Sequence, residues 1–234
     1  MESHPPLTVV MPVLDEAPGI EAALAPLQAL RAAGAEVIVV DGGSRDATHA
    51  LAAPWADRVI EAPRGRAAQM NAGAAAARGE VLVFLHADTA LPPGAPEAIA
   101  AGLERTRRDW GRFDVTIAGD DSLLRLVAWL MNARSRMTGI ATGDQAMFVR
   151  RAVFERAGGF PEIPLMEDVA LSKILKRVSQ PLCLRERVVT SGRRWEKHGT
   201  LRTIVLMWRL RLAYALGADP ARLARRYDVE RTSP

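Results

Sequence analysis

The sequence is poor in the features that would place it in several common classes. It has one cysteine in 234 residues, so Cys183 has no disulfide partner within the chain, and a reducing compartment with a buried structural thiol is the expectation. No run approaches the roughly 18 consecutive apolar residues of a spanning helix. The opening Met-Glu-Ser-His-Pro-Pro has no cationic stretch before an apolar one, so a cytoplasmic location is expected. Internal repeats and low-complexity linkers are lacking. Neither a P-loop nor a dinucleotide fingerprint is present, because Gly42-Gly43-Ser44 follows a strand-like run without the further glycine and lysine those motifs need.

What is present is a globular balance, 49% apolar and 25% charged, with an uneven spread of charge. Residues 1–171 hold 16 Lys and Arg against 22 Asp and Glu, whereas residues 172–234 hold 15 against 5. The basic end implies an anionic partner such as phosphate groups or an anionic lipid surface. Nucleic acid is not expected, since no DNA- or RNA-binding signature accompanies the charge.

Apolar runs at residues 7–14, 36–40, 58–60 and 81–85 read as strands, separated by helical segments at 18–33, 46–51 and 65–78. Ser44 is the expected cap of the second of these helices. Further strands are expected at 113–117, 145–149 and 182–184, and helices at 123–137, 168–178 and 201–216. Strands alternating with helices predict an α/β fold with a mostly parallel central sheet and flanking helices, because parallel neighbours need crossovers. Ligands of such sheets bind beyond the carboxyl ends of the strands, so Asp15-Glu16, Asp41 and Asp88 are expected to share one crevice.

Four clusters carry chemistry. Asp41 at a strand end can accept hydrogen bonds from a ribose hydroxyl or a base N–H, with Gly42 and Gly43 permitting close approach; a plain turn is the alternative. His86-Ala87-Asp88 offers a hard oxygen ligand suited to Mg²⁺ or Mn²⁺ bridging two phosphates, or else a turn. Glu167-Asp168 opens a helix, where a carboxylate is both a cap and a candidate general base. Arg193-Arg194-Trp195 joins two guanidinium groups to a broad ring that can wall a pocket.

In this order the clusters resemble a family 2 glycosyltransferase with the GT-A fold. Pro12-Val13-Leu14-Asp15-Glu16 is similar to that family's opening strand and turn, and residues 40–48 to its second nucleotide-binding segment. Gly65-Arg66-Ala67 through Asn71-Ala72-Gly73 matches the following basic residue and helix. His86-Ala87-Asp88 stands where the family has Asp-X-Asp, Met166-Glu167-Asp168 matches its Glu-Asp signature, and Arg194-Trp195 the end of Gln-X-X-Arg-Trp. The chain is also similar to small bacterial transferases associated with radical-SAM and selenium-domain gene neighbourhoods.

The resemblance implies an inverting, metal-dependent transfer from a nucleotide-diphosphate sugar, with Asp168 as base beside Glu167 and with Asp88 on the metal. It implies donor contacts from Pro12, Glu16, Asp41, Gly43, Arg66, Ala87 and Asp88, with uridine as the nucleoside. Asp144, Gln145, Arg194 and Trp195 fall in the donor-sugar and acceptor region. His86 replaces the first metal-binding aspartate, and Ser191 replaces the glutamine of processive synthases, which favours single-sugar transfer. A sugar nucleotidyltransferase and a non-catalytic nucleotide-sugar-binding module are the rival readings; the former lacks its glycine-rich loop in residues 7–19.

Residues 1–195 are expected to form the catalytic domain and 196–234 a basic amphipathic helical extension packed on it. Projected at about 100° per residue, residues 201–216 place Leu201, Ile204, Val205, Trp208, Leu212 and Leu216 on one face. Leu206, Met207, Leu210 and Tyr214 fall on a second. Two apolar faces need two apolar neighbours, either both within the fold or one of them lipid or a partner chain. The expectation that follows is peripheral contact with the inner face of the membrane and a lipid-linked acceptor.

Overall fold

The computed structural model describes residues 7–193, 195 and 199–232. The Val-rich runs become the centre of one sheet. Strands β1 (Leu7–Val13), β2 (Glu36–Asp41), β3 (Arg58–Glu61) and β4 (Val81–Phe84) are joined by helices α1 (Ile20–Leu24), α2 (Gln28–Ala32), α3 (Thr48–Ala52) and α4 (Arg66–Ala76). Beyond them come β5 (Thr89–Ala90), α5 (Ala95–Thr106), β6 (Trp110–Ala118), α6 (Ser122–Thr138), β7 (Met147–Arg150) and α7 (Arg151–Arg156). The chain continues through α8 (Glu167–Leu175), β8 (Leu182–Ser191), α9 (Thr200–Ala215) and α10 (Pro220–Thr232). The strand order is β3-β2-β1-β4-β7-β6-β8-β5. β1, β2, β3 and β4 run parallel, and β6 pairs parallel with β8. β7 runs antiparallel between β4 and β6, and β5 antiparallel on β8.

Every residue of β1 and β2 is buried, as expected of strands covered on both faces. Alternate side chains feed two cores: Val9, Met11, Val37, Val39 and Val83 on one face, Val10, Ile38, Val40, Leu82 and Phe84 on the other. Each such burial contributes about 1.5–3 kcal/mol. Helix α4 lies close on the second face because it has no side chain at Gly73, where a Cβ would fall 2.3 Å from Val10 Cγ1. Its Gln69 Nε2 donates to the carbonyls of Val13 and Val40, 2.8 Å each, and so locks together the ends of β1 and β2.

The expected helix at 18–33 is instead two short helices joined by a 3-10 turn at Ala25–Leu27, because Pro26 cannot donate to the helical ladder. Ser44 does not cap α3; its hydroxyl donates to Asp41, and the α3 turn is held by Asp46. Cys183 is half-buried rather than buried. β8 runs seven residues beyond the expected 184, through the exposed Arg185-Glu186-Arg187, whose charges hid its strand character. No helix among the described residues is long and apolar enough to cross a membrane.

The face of α9 carrying Leu206, Met207, Leu210 and Tyr214 docks with α10 against Leu165, Met166 and Val169. Its other face stays open, with Leu201, Val205, Trp208, Leu212 and Leu216 all more than half exposed. Helix α6 is anchored by the fully buried Arg112, which donates to Ser135 Oγ at 3.0 Å and pairs with Asp114. Asp114 also accepts from Arg136 at 2.6 Å.

Removing one partner of a buried ion pair strands the other, a cost of about 3–5 kcal/mol. Asp114→Ala is therefore expected to lower the melting temperature by roughly 6–20 °C, measured by differential scanning calorimetry; a fall under about 2 °C would show Arg112 to be otherwise satisfied.

Candidate functional site

The β1 and β2 strands end side by side, with Val13 opposite Asp41, and the loops that follow are laced together. Asp41 Oδ1 accepts from Gly43 N, Ser44 N and Ser44 Oγ at 3.1, 2.8 and 2.7 Å. Ser44 Oγ accepts from Asp15 N, Thr48 Oγ1 from Glu16 N, and Asp46 Oδ2 from Ala17 N, while Asp15 Oδ1 accepts from Arg45 N. One oxygen of Asp41 is thus committed to its own turn. The Asp-Gly-Gly-Ser-Arg-Asp-Ala-Thr segment spends its short polar side chains on fixing the backbone around Glu16. Asp15 itself sits in the left-handed region at φ 53°.

Glu16 turns towards the end of β4. Its carboxyl is raised above the usual range by burial first and then by the Asp88 carboxylate, with Arg193 opposing and Asp46 adding. Asp88 is exposed, and Ser191 N donates to its carbonyl at 3.0 Å. The Thr89–Thr190 side-chain bond, 3.0 Å, holds the same junction. The strand ends therefore bring Glu16, Asp88 and Ser191 together from distant points in the sequence, with Pro12 buried in β1 behind them.

The second acidic group starts helix α8. Met166 adopts a left-handed φ of 71°, uncommon for a side chain of this kind, and thereby swings Glu167 and Asp168 onto the first turn. There the free N–H groups and the helix dipole favour negative charge. Asp168 Oδ2 accepts from Gly143 N at 2.9 Å and Oδ1 from Val169 N at 2.7 Å. Glu167 is 3% exposed and pairs through Oε1 with Arg66 Nε at 2.9 Å, while its Oε2 has no hydrogen-bond partner. Burial raises the Glu167 carboxyl; Arg66 works against this and Asp168 adds to it. Partial burial opposes the Arg66 charge, yet Glu167, then Asp168 and Asp144, hold its pKa above the ordinary value.

The turn Gly143–Gln145 bridges the two acidic groups. Its Gly143 packs flat on His86, where a Cβ would fall 2.3 Å from the ring, and His86 Nδ1 lies 3.5 Å from Asp144 Oδ1. His86 is thus occupied in packing and in orienting Asp144. Gln145 is fully buried, accepting from Thr142 N and donating to Asn132 of α6; its side chain shapes the turn and is not presented to the crevice. Trp195 packs against Ile117, Leu124 and Val127 and lines the cleft that also includes Asp88 and Asp144. Arg194 lies outside the described residues. Gly43 is exposed in the turn that Asp41 holds, and Ala87 packs against the core.

Asp88 is the carboxylate available to a divalent cation. No cluster of three or more His, Cys, Asp or Glu side chains with metal-binding geometry occurs among the described residues. One exposed carboxylate fits Mg²⁺ or Mn²⁺ that takes its remaining ligands from phosphate oxygens and water. Several residues gave no signal of a site role: Gln69 looks like any polar helix residue, Arg134 and Arg211 read as basic residues beside apolar helix faces, and Tyr214 as part of one such face. Asp168 raises the Tyr214 phenol, after burial, and partly offsets what lowers Arg134.

Residues 8–156 match the family model described as glycosyl transferase family 2. Over 129 residues the chain is 31% identical to an undecaprenyl-phosphate 4-deoxy-4-formamido-L-arabinose transferase of Pseudomonas fluorescens (strain Pf0-1), covering 49% of this chain and 36% of that protein. Its fold is similar to the mannosyltransferase PcManGT from Pyrobaculum calidifontis, solved with GDP-Man and Mn²⁺, with a TM-score of 0.63 and 25% identity over 91% of this chain and 62% of that one. TarS 1-349 of S. aureus, solved with UDP-GlcNAc, has a TM-score of 0.63 and 16% identity over 80% and 58% of the two chains. The chain thus spans about a third of the curated relative and about three-fifths of these two structures. The sheet and its helices are those of the GT-A fold.

A raised carboxyl gives its full stabilising contribution below the unfolded value, near 4.5, and loses it as pH climbs through the folded one. The melting temperature of Glu167→Gln, which cannot ionise, is therefore expected to gain on that of the native chain as pH rises above 4.5. A difference that stays constant across that range in a thermal-shift series would contradict the raised pKa.

Proposed function

The chain belongs to glycosyl transferase family 2, and on that footing we propose that it moves one sugar from a nucleotide-diphosphate donor, UDP-linked by preference, to an acceptor hydroxyl with inversion. The observation that carries this reading is the convergence of Asp88, from the end of β4, with Asp144 and Asp168, linked through the Gly143 turn. Pro12, Glu16, Asp41 and Gly43 border the nucleoside end. Arg66 is set to meet the donor from the start of α4.

Asp168, oriented by Gly143 N and Val169 N, takes the proton of the acceptor hydroxyl. The acceptor oxygen bonds to the sugar C1 as the C1–O bond to the diphosphate breaks and its electron pair leaves on the nucleoside diphosphate. Asp88 would hold Mg²⁺ or Mn²⁺, and that ion would supply neutralisation of the charge on the departing diphosphate. The relatives' complexes with GDP-Man and Mn²⁺ and with UDP-GlcNAc support this donor class. Trp195 and Asp144 flank the acceptor side.

A location on the inner face of a membrane is part of the proposal. The open apolar face of α9 is bordered by the exposed Arg202 and Arg209, and α6 presents Leu126 and Trp129 at 51% and 64% exposure. Such a surface suits the boundary between headgroups and acyl chains.

Asp168→Asn keeps one acceptor oxygen, enough for the Gly143 N–H or the Val169 N–H but not both, and cannot take a proton. Release of nucleoside diphosphate from the donor sugar that most stabilises the protein with Mn²⁺, assayed with total lipid extract as acceptor, is expected to fall roughly 10²–10⁴-fold. The thermal stabilisation by that donor should be retained. Equal turnover in the variant would remove Asp168 as base, and the absence of any turnover in the native chain would favour a non-catalytic binding module.

The native chain is expected to sediment with vesicles containing phosphatidylglycerol at low salt, and Trp208→Ser with Leu212→Ser to abolish this. Equal recovery in the supernatant with and without vesicles would rule out the membrane contact.

A further inference from the structure

Between α6 and α9 lies a cleft of ≈ 640 Å³, within the roughly 300–1,000 Å³ of small-ligand sites. One part of its lining is Asp88, Asp144 and Ser191; another is Trp129, Leu130, Met137, Trp208 and Leu212. Met137 is 86% exposed and Trp208 67%, so this apolar lining continues to the molecular surface. The two helices that wall it are tied at their starts, where Thr200 Oγ1 donates to Asp121 Oδ2 at 2.5 Å.

Two cations interrupt the apolar lining. Arg134 of α6 and Arg211 of α9 both line the cleft, and Arg134 Nε and Nη2 and Arg211 Nε are shielded from solvent with no hydrogen-bond partner. An unmet buried donor is destabilising, and more so when it is charged. The two guanidinium groups also repel each other: burial first, then Arg211, push Arg134 down to about 10, with Asp168 offsetting part of this. Asp168 is already engaged with Gly143 N and Val169 N. The cleft therefore calls for an anion with several acceptor oxygens, joined to a hydrocarbon.

We infer that this cleft is the acceptor subsite and that its occupant is an amphiphile bearing a phosphate. The phosphate oxygens accept from Arg134 and Arg211, the hydrocarbon runs outward along Trp129, Leu130, Met137, Trp208 and Leu212, and the hydroxyl that receives the sugar lies towards Asp88 and Asp144. This assignment rests on the transferase reading and adds the acceptor's chemical class and the side chains that select it. Arg forks match phosphate geometry better than a point charge does, and Trp side chains give the tail rigid apolar walls.

The test is titration of the full chain, followed by tryptophan fluorescence, with dodecyl phosphate below its micellar concentration, with inorganic phosphate and with dodecanol. Dodecyl phosphate should bind roughly tenfold or more tightly than either half-molecule, and Arg134→Gln with Arg211→Gln should weaken it by a similar factor. Trp208→Ala should weaken dodecyl phosphate and leave inorganic phosphate unchanged. Inorganic phosphate binding as tightly as dodecyl phosphate would leave a free-phosphate site and overturn the proposal. Equal binding of dodecanol, or undiminished affinity in the double Gln variant, would also overturn it. Stabilisation of each variant by the donor sugar with Mn²⁺ shows that the fold is intact. If donor sugars bind and dodecyl phosphate does not, the acceptor assignment falls and the transfer reading stands; if dodecyl phosphate binds and no nucleotide sugar does, the transfer reading falls and takes the acceptor role with it.

Discussion

Glu16, Asp88, Asp144, Glu167 and Asp168 are gathered at one rim of the sheet, and their mutual repulsion is the constraint around which the local structure is arranged. Charges of one sign crowded in a partly dry crevice must be neutralised by fixed groups or by a ligand. Arg66 meets Glu167, the first turn of α8 meets Asp168, and Gly143 N reaches Asp168 from the neighbouring turn. Asp88 is left as the exposed carboxylate at the mouth. Fixed donors serve Glu167 and Asp168, while Asp88 is left open to a mobile positive charge.

The opposite imbalance holds a short distance away. Arg134 and Arg211, on the two helices that wall the cleft, carry positive charge on guanidinium groups with buried nitrogens that have no hydrogen-bond partner. The cleft is thus polarised along its length, with the carboxylates of Asp88 and Asp144 in one part and guanidinium groups beside the apolar lining. A polarised cleft orients an amphiphile before any specific contact is made.

The fold was legible because its central strands are unmistakable: Val-rich runs ending in Asp or Glu have few other readings, and β1, β2 and β4 fall within a residue or two of their expected limits. The placement of the candidate site's carboxylates was legible where a strand end or a helix start fixes them, as at Asp41, Asp88 and Asp168. Elsewhere tertiary contacts decided the outcome. β8 was cut short because Arg185, Glu186 and Arg187 face solvent from a strand that buries Leu182, Leu184, Val188 and Thr190. Arg112 is a charge inside the core, acceptable only because Asp114 and the α6 residues Ser135 and Asn132 surround it, an arrangement no local window reveals. Gln145 sits among site residues in sequence, but its turn rotates it inward. Helix α9 was read correctly as two-faced, though only packing tells which face docks.

The flat contact between Gly143 and His86 carries a lesson for anyone swapping motifs between relatives. Histidine and glycine there form a matched pair, one filling the volume the other gives up. Putting aspartate at position 86 to recreate a two-carboxylate metal motif would open a hole beside Gly143 and add an anion next to Asp144, so the graft has to include both positions and the turn between Thr142 and Ala146. Inheritance at this rim works by blocks of touching residues, and a signature copied one letter at a time brings only part of its architecture with it.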